Sequence, residues 1–420
     1  MTRCLLLLLA LSTCLTAQQN GQVPELRPSD DGEKLITAKD LLGHITFLAS
    51  DEMKGRNAGS PEAKKAAAYI VKRMEELGIK PAGQDKGYLH GFSALGRVCR
   101  NVCGILPGTD SRLKKEYLVL GAHYDHVGLG MRGSRTPRRA GEIHNGADDN
   151  ASGTSSLLEL MEAFAKKRTK RSILFLFFSA EEKGLLGSKA WCKRPTRRLG
   201  RIAAMLNMDM VGRSSKDYLF VGGVNTGSGF EQLVRKENEP FKFNLELHGG
   251  GRAPSDNASF YNEGIPVLFF FTAEHNEYHT PDDDTPLINT SGHELITRLA
   301  YRTAKHLGNA KKRPRFHKDD RNAMPLASQR GVDYVRRLLG VRLGAYDDET
   351  KGMALTSVDR GGLAGKARLK EGDIILTLDG YKAESKEAVQ SVLAVKQKGD
   401  KIKLRFLRGE RKLKTTLTVR

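Results

Sequence analysis

Apolar residues recur along the chain in two rhythms. Ala63, Ala67, Ile70, Val71, Met74 and Leu77 share one face at helical spacing. Ser60-Pro61 supplies a cap with proline at the first helical position, and Gly78 supplies a stop. Leu157, Leu160, Met161, Phe164 and Ala165 make a second helical face, and residues 293–307 read as a third. Between them lie continuous apolar runs at 117–122, 173–178, 205–208 and 266–271. Strands covered on both faces read this way. Strands alternating with helices predict an α/β fold, a three-layer sandwich around a mostly parallel central sheet. Residues 18–35 are polar and read as a loose leader to it.

In such a sheet the chemistry gathers beyond the carboxyl ends of the strands. Polar clusters stand at those places here. His123-Tyr124-Asp125-His126 closes the first run, and Asp148-Asp149-Asn150 precedes the second helix. Glu181-Glu182 follows the second run, Asp209 the third, and Tyr278-His279 the fourth. Taken singly, a strand-end histidine or an acidic pair before a helix is commonplace. Taken together, two imidazoles and several carboxylates aimed at one cleft suit a pair of zinc ions, which take nitrogen and oxygen ligands. Two such metals can share a carboxylate and activate water.

The segments GAHYDH, GADDNASG, FSAEEKGLLGS, LNMDMVGR and EYHTPDD resemble the metal-site motifs of the co-catalytic zinc aminopeptidase family. That family takes in bacterial leucyl aminopeptidases, glutamate carboxypeptidase II-like enzymes and glutaminyl cyclases. FLASDEMKGRNAGS resembles the opening of the same domain, and the likeness covers roughly residues 36–310. The resemblance implies that Asp149 bridges two Zn2+, with Glu182 and His279 completing one site and His123 and Asp209 the other. It implies Glu181 as general base to a metal-bridging hydroxide, Asp125 as the partner orienting His123, and a cis Asp149-Asn150 peptide. Tyr278 is a candidate donor to the developing oxyanion. His126, His144 and His275 match no ligand position and read as rim or structural residues.

A second unit follows. Residues 311–324 are basic and read as a linker, and residues 325–420 resemble a PDZ domain of bacterial type. Leu339, Gly340 and Val341 stand where such domains hold a peptide's terminal carboxylate on backbone N–H groups. RLKEGDIILTLDG resembles the run into the central strands. Such domains add an extended peptide to a sheet edge, so peptide or protein C-termini are expected partners beside peptide substrates.

Composition changes this picture little. The formal charge of +20 invites a polyanion, but the basic residues are scattered and no nucleic-acid motif accompanies them. Arg132, Arg135, Arg138 and Arg139 make a basic loop, suited at most to acidic surface polymers. Arg3, the run Leu5 to Leu11 and small Ala17 read as an export signal over residues 1–17. A secreted, periplasmic or cell-surface location follows as an expectation; Cys14 could carry a lipid, though Thr13 fits that box poorly. Cys99, Cys103 and Cys192 remain beyond the signal, and their pairing is open. His293-Glu294 begins a helical metalloprotease motif that Thr297 ends, and no Gly-x-Ser-x-Gly elbow occurs. The expected function is a zinc exopeptidase acting on peptide N-termini. A glutaminyl cyclase and a non-enzymatic peptide-binding protein are the alternatives.

Overall fold

The computed structural model describes residues 26–94, 96–214, 217–321, 335–347, 349–383, 389, 392, 393, 396 and 399–419. The expected export signal, residues 322–324 of the expected linker and the first ten residues of the expected C-terminal domain (325–334) lie outside the described residues.

Helix α1 (Ala38–Leu48) starts at Thr37, whose side chain accepts from the Asp40 N–H. Helix α2 (Pro61–Glu76) begins as its sequence predicts, with the Ser60 hydroxyl oxygen accepting from the Ala63 N–H at 3.0 Å. Strands β1 (Lys80–Pro81), β2 (Leu89–Ala94) and β3 (Arg97–Leu106) follow, then β4 (Tyr117–His123). Helix α3 (Gly153–Lys166), β5 (Ser172–Phe178), α4 (Leu186–Lys193), β6 (Ile202–Met208), β7 (Tyr218–Gly222) and α5 (Phe230–Asn238) come next. Strand β8 (Asn244–His248), α6 (Asn257–Asn262), β9 (Val267–Phe271) and α7 (Thr290–Asn309) complete the domain.

One sheet runs β1-β3-β5-β4-β6-β9-β7-β8, with β2 paired to β3. Its centre, β5-β4-β6-β9, is parallel throughout. Its flanks turn over: β3 runs antiparallel to β5, and β7 to β9. Strand β5 is buried along its whole length and splits by parity. Ile173, Phe175 and Phe177 join the core beneath α1, α2, α3, α5 and α7. Leu174, Leu176 and Phe178 join the opposite core, with Trp191 of α4 and Phe260 of α6. Both faces are therefore covered, which is why the run is apolar without alternation. Each such side chain contributes about 1.5–3 kcal/mol on burial.

Two expectations about connecting segments need correcting. Residues 26–35 are docked, not loose. Glu33 is fully buried and accepts from Arg298 Nε at 3.0 Å, and Arg302 pairs with it at 3.0 Å. A carboxylate enters a core when two guanidiniums of α7 meet it. Residues 313–320 form a strap, not a free linker. Phe316 bridges antiparallel to Gly227 and packs on the Tyr261 ring, 5.6 Å between centroids. Tyr261 Oη donates to Asp320 at 3.0 Å, and Asn225 Nδ2 to Asp319 at 3.1 Å. The basic side chains face outward while the backbone and Phe316 do the docking.

The C-terminal unit has its own core. Strands β10 (Val341–Asp347), β11 (Gly352–Val358), β12 (Ile374–Leu378), β14 (Lys401–Arg408) and β15 (Arg411–Thr418) pair antiparallel in that order, with β13 (Tyr381–Lys382) beside β12. A four-residue helix, α8 (Leu363–Lys366), follows β11. Leu355, Ile375, Leu404 and Phe406 fill the interior. Cys99, Cys103 and Cys192 are buried free thiols, so none of the open pairings forms. Among the described residues no helix is long and apolar enough to cross a membrane.

Candidate metal centre

Because β5, β4, β6 and β9 are parallel neighbours, their carboxyl ends open on one edge of the sheet. His123 is the last residue of β4, and Asp209 directly follows β6. Glu181 and Glu182 follow β5 after Ala180, which turns the chain with φ 59. His279 lies on the loop after β9, and Asp149 on the turn before α3.

That turn is held from three sides. The Asp283 carboxylate accepts from the Asp148 and Asp149 N–H groups at 3.0–3.1 Å. Asn150 Nδ2 donates to Met208 O at 3.0 Å, and its Oδ1 accepts from the Met210 N–H at 3.1 Å, tying the turn to the end of β6. Gly146 adopts φ 61, and a Cβ there would stand 2.2 Å from Asp149 O, so only glycine fits. The Asp149-Asn150 peptide is cis.

The two carboxylate oxygens of Asp149 face different imidazoles. Oδ1 is 3.3 Å from His123 Nε2, and Oδ2 is 2.9 Å from His279 Nε2. Asp209 Oδ1 is also 3.3 Å from His123 Nε2, and Glu182 Oε2 is 3.1 Å from His279 Nε2. Two groups of donor atoms result, His123-Asp149-Asp209 and His126-Asp149-Glu182-His279, each within 4.8 Å. Chemistry fixes the tautomers. His123 Nδ1 lies 3.1 Å from Asp125 O, and His279 Nδ1 lies 2.8 Å from Gly133 O. A carbonyl only accepts, so both Nδ1 atoms carry a proton, and each Nε2 is left facing carboxylate oxygens, where a proton or a metal cation fits. His279 Nε2 is buried without a hydrogen-bond partner. Protons on the two Nε2 atoms meet those carboxylates when no metal is bound, and with the protons displaced the imidazole nitrogens and carboxylate oxygens form a donor set that suits zinc.

The surrounding carboxylates favour positive charge on both imidazoles. Burial opposes charge on His123, but Asp209, Glu181 and Asp149 hold its pKa well above the usual value. Burial likewise opposes His279, and Glu182 and Asp149 raise it well above. Burial pushes the Asp149 carboxyl up, and the two imidazoles more than offset it, leaving it well below the usual range. The centre attracts cations. Beneath it Arg56 is fully buried, donating to backbone oxygens of Leu48, Tyr124, Asn145 and Gly146. Burial lowers its pKa to about 10, and Asp149 and Asp125 oppose that.

The remaining candidates sit as follows. Glu181 lies beside His123, Oε2 to Nε2 4.0 Å, outside both donor groups. Burial, then Asp209 and Glu182, push its pKa well above the usual value, with His123 opposing. The Asp125 carboxylate accepts from the Glu181 N–H at 3.1 Å and stands 3.9 Å from His123 Nδ1. It is therefore the Asp125 carbonyl that orients the imidazole. Tyr278 stacks on His279, centroids 3.9 Å apart, and lines the cavity with Glu181 and His123. Burial, with Asp149 and Glu274, raises its phenol well above 10, so it remains a donor. His126 is not a rim residue. It is buried, with Nδ1 2.9 Å from Glu182 Oε1, where it orients that carboxylate. Its place three residues after His123 was the available signal. His144 holds a loop through Glu142 O and Ser134 Oγ, and His275 reaches Asp148 Oδ2 at 3.3 Å. Reading the sequence also missed Asp283, Arg56 and Ser255, whose hydroxyl donates to Asp209 Oδ2 at 2.6 Å. In the C-terminal unit Leu339 and Val341 are core residues, and the Gly340 N–H already donates to Arg336 O at 3.0 Å.

Comparison with known proteins agrees with this architecture. Residues 101–304 match Peptidase family M28, and residues 338–419 match the PDZ domain. Aminopeptidase YwaD of Bacillus subtilis is 26% identical over 340 residues, covering 71% of each chain. Leupeptin-inactivating enzyme 1 of Streptomyces exfoliatus is 26% identical over 248 residues, 58% of this chain and 51% of that protein. Among solved structures, BSAP, a zinc aminopeptidase from Bacillus subtilis, superposes with a TM-score of 0.53 at 19% identity, covering 68% of this chain and 98% of that one.

Proposed function

We propose, on the premise that residues 101–304 form a Peptidase family M28 domain, that this chain is a zinc-dependent aminopeptidase releasing N-terminal residues from peptides. The observation that carries the reading is Asp149, whose two oxygens each face the Nε2 of an imidazole whose Nδ1 is held by a backbone carbonyl. His123, Asp149 and Asp209 would hold one Zn2+, and Asp149, Glu182 and His279 a second. Bound zinc supplies Lewis acidity toward the scissile carbonyl and lowers the pKa of water. Glu181 takes the proton of the attacking water and returns it to the departing amine. Tyr278 donates its hydroxyl to the carbonyl oxygen as charge builds there. Asp283 and His126 keep Asp149 and Glu182 in place through that sequence.

The PDZ unit would bind peptide or protein C-termini. Since the Gly340 N–H is engaged with Arg336 O, a carboxylate there has to displace that bond. Export directed by residues 1–17 belongs to the same proposal, and N-terminal sequencing of the mature protein checks it. The activity is tested by giving the zinc-loaded protein peptides with free, blocked and glutaminyl N-termini. Release of the first residue from the free peptides alone is expected. Cleavage of blocked peptides from the other end, or ring closure on the glutaminyl ones, would overturn the reading.

A further inference from the structure

The turn that carries Asp149 rests on two carboxylates that belong to neither donor group, Asp148 and Asp283. Both are fully buried. Asp148 Oδ1 accepts from the Gly212 N–H at 2.7 Å, and its Oδ2 is buried without a hydrogen-bond partner. Asp283 accepts from the Asp148 and Asp149 N–H groups, which is what holds Asp149 in place. Such N–H donors are neutral and leave both charges standing. Among the described residues one side chain able to carry positive charge comes within 4.0 Å of either carboxylate. It is His275, whose Nε2 is 3.3 Å from Asp148 Oδ2 and 3.9 Å from Asp283 Oδ1. Its Nδ1 is 3.2 Å from Glu277 Oε2, which Arg213 Nη2 also meets at 2.9 Å. An imidazole with carboxylates at both nitrogens keeps both protons. Burial and Arg213 oppose charge on His275, and Asp148 and Asp283 outweigh them, raising its pKa. Arg56 acts on Asp283 from farther off and gives its hydrogen bonds to backbone oxygens.

We infer that His275 is a positioning residue: its imidazolium neutralises the Asp148–Asp283 pair and so keeps Asp149 within reach of both zinc ions. The inference rests on the two-zinc reading. Without that charge two buried carboxylates repel each other across the turn, and the loop bearing Asp283 draws away from the Asp148 and Asp149 N–H groups. Asp149 serves both donor groups, so loosening it weakens both ions together. Ser255 differs, since its hydroxyl holds Asp209, which serves one group. His275 stands on the same loop as His279, so it ties the loop that brings one imidazole to the turn that brings the shared carboxylate.

The test measures zinc affinity of the full chain by calorimetric competition with a chelator. It compares wild type, His275→Gln, Asp148→Asn, the double variant His275→Gln with Asp148→Asn, and Ser255→Ala. His275→Gln should weaken both ions by about tenfold or more, the range for residues that hold a metal ligand from behind. Ser255→Ala should weaken one ion only. The double variant removes one of the two like charges along with the imidazole. Its affinities should therefore return to within about threefold of those of Asp148→Asn alone. A loss in His275→Gln confined to one ion, or a loss undiminished in the double variant, would overturn the inference. If His275→Gln is recovered unfolded, the double variant decides alone: folded with its zinc it supports the inference, and unfolded it refutes it. A wild type that binds a single zinc refutes the two-metal reading, while recovery of that ion's affinity in the double variant still decides the role of His275.

Discussion

Glu181 and Glu182 are adjacent in the chain and face different partners. Glu182 sits between His126 and His279, whereas Glu181 looks toward His123 from outside the donor groups. Glu181→Gln keeps size and hydrogen bonding but cannot take a proton. It should retain both zincs while kcat falls by about 100-fold or more; near-normal kcat at full metal content would refute the base assignment. Glu182→Gln should lower zinc content instead. Asp149→Ala should lose both ions, and Asp209→Ala about one, as read by atomic absorption. A different residue sets a pH dependence. His293 is fully buried, within 2.7 Å of the Ser156 hydroxyl, and burial pushes its pKa down to about 4 from 6.5. Between those values the unfolded chain takes a proton that the folded chain refuses. Its contribution to stability is therefore complete above about pH 6.5 and falls as the pH drops toward 4, by roughly 3 kcal/mol in all. Urea unfolding at about pH 7.5 and about pH 5 should show this slope reduced in His293→Gln relative to wild type; identical slopes would exclude it. At this scale the sequence revealed residues standing at strand ends. Asp283, Arg56 and Ser255 escaped because a polar residue that holds another polar residue follows no periodicity.

Among the elements, the parallel centre was legible because β4, β5, β6 and β9 are buried on both faces and read as unbroken apolar runs. The flanking strands were not. Strand β8 is only half-buried, and β2 alternates with exposed positions, so neither stands out from a loop. The strap was invisible for another reason: its basic composition dominates the pattern, while one aromatic and a few backbone bonds dock it. A chain ending after Arg321 should therefore keep its catalytic domain intact. A chain ending after Gly308 loses Phe316 and the partners of Tyr261 and Asn225, and its Tm should fall by about 4 °C or more. Equal melting temperatures for the two would show that the strap contributes nothing. Arg56 works at the same scale, joining the turn after α1 to the loops at 124 and 145–146. Arg56→Ala leaves four buried carbonyls without that donor and should cost about 3–5 kcal/mol in chemical denaturation.

For the whole molecule, the site residues and the C-terminal unit occupy separate stretches of chain, with every proposed ligand before residue 280. Hydrolysis of a small aminoacyl substrate by a chain ending after Arg321 should match that of the full chain within about threefold, since no proposed ligand is removed. A larger loss in the folded, zinc-loaded protein would show that the C-terminal unit takes part in the chemistry. The docking of residues 26–33 has a consequence for how the chain is made. Glu33 lies 265 residues before its partner Arg298. On the ribosome the N-terminal end emerges first, at about 5–20 residues per second. It then waits, its carboxylate bathed in water, until α7 has been synthesised. Closing so long a loop costs little in final stability, because the entropy grows only with the logarithm of length. The burden falls on time: a nascent chain stalled before Arg298 should leave residues 26–35 open to protease, and release past that point should seal them.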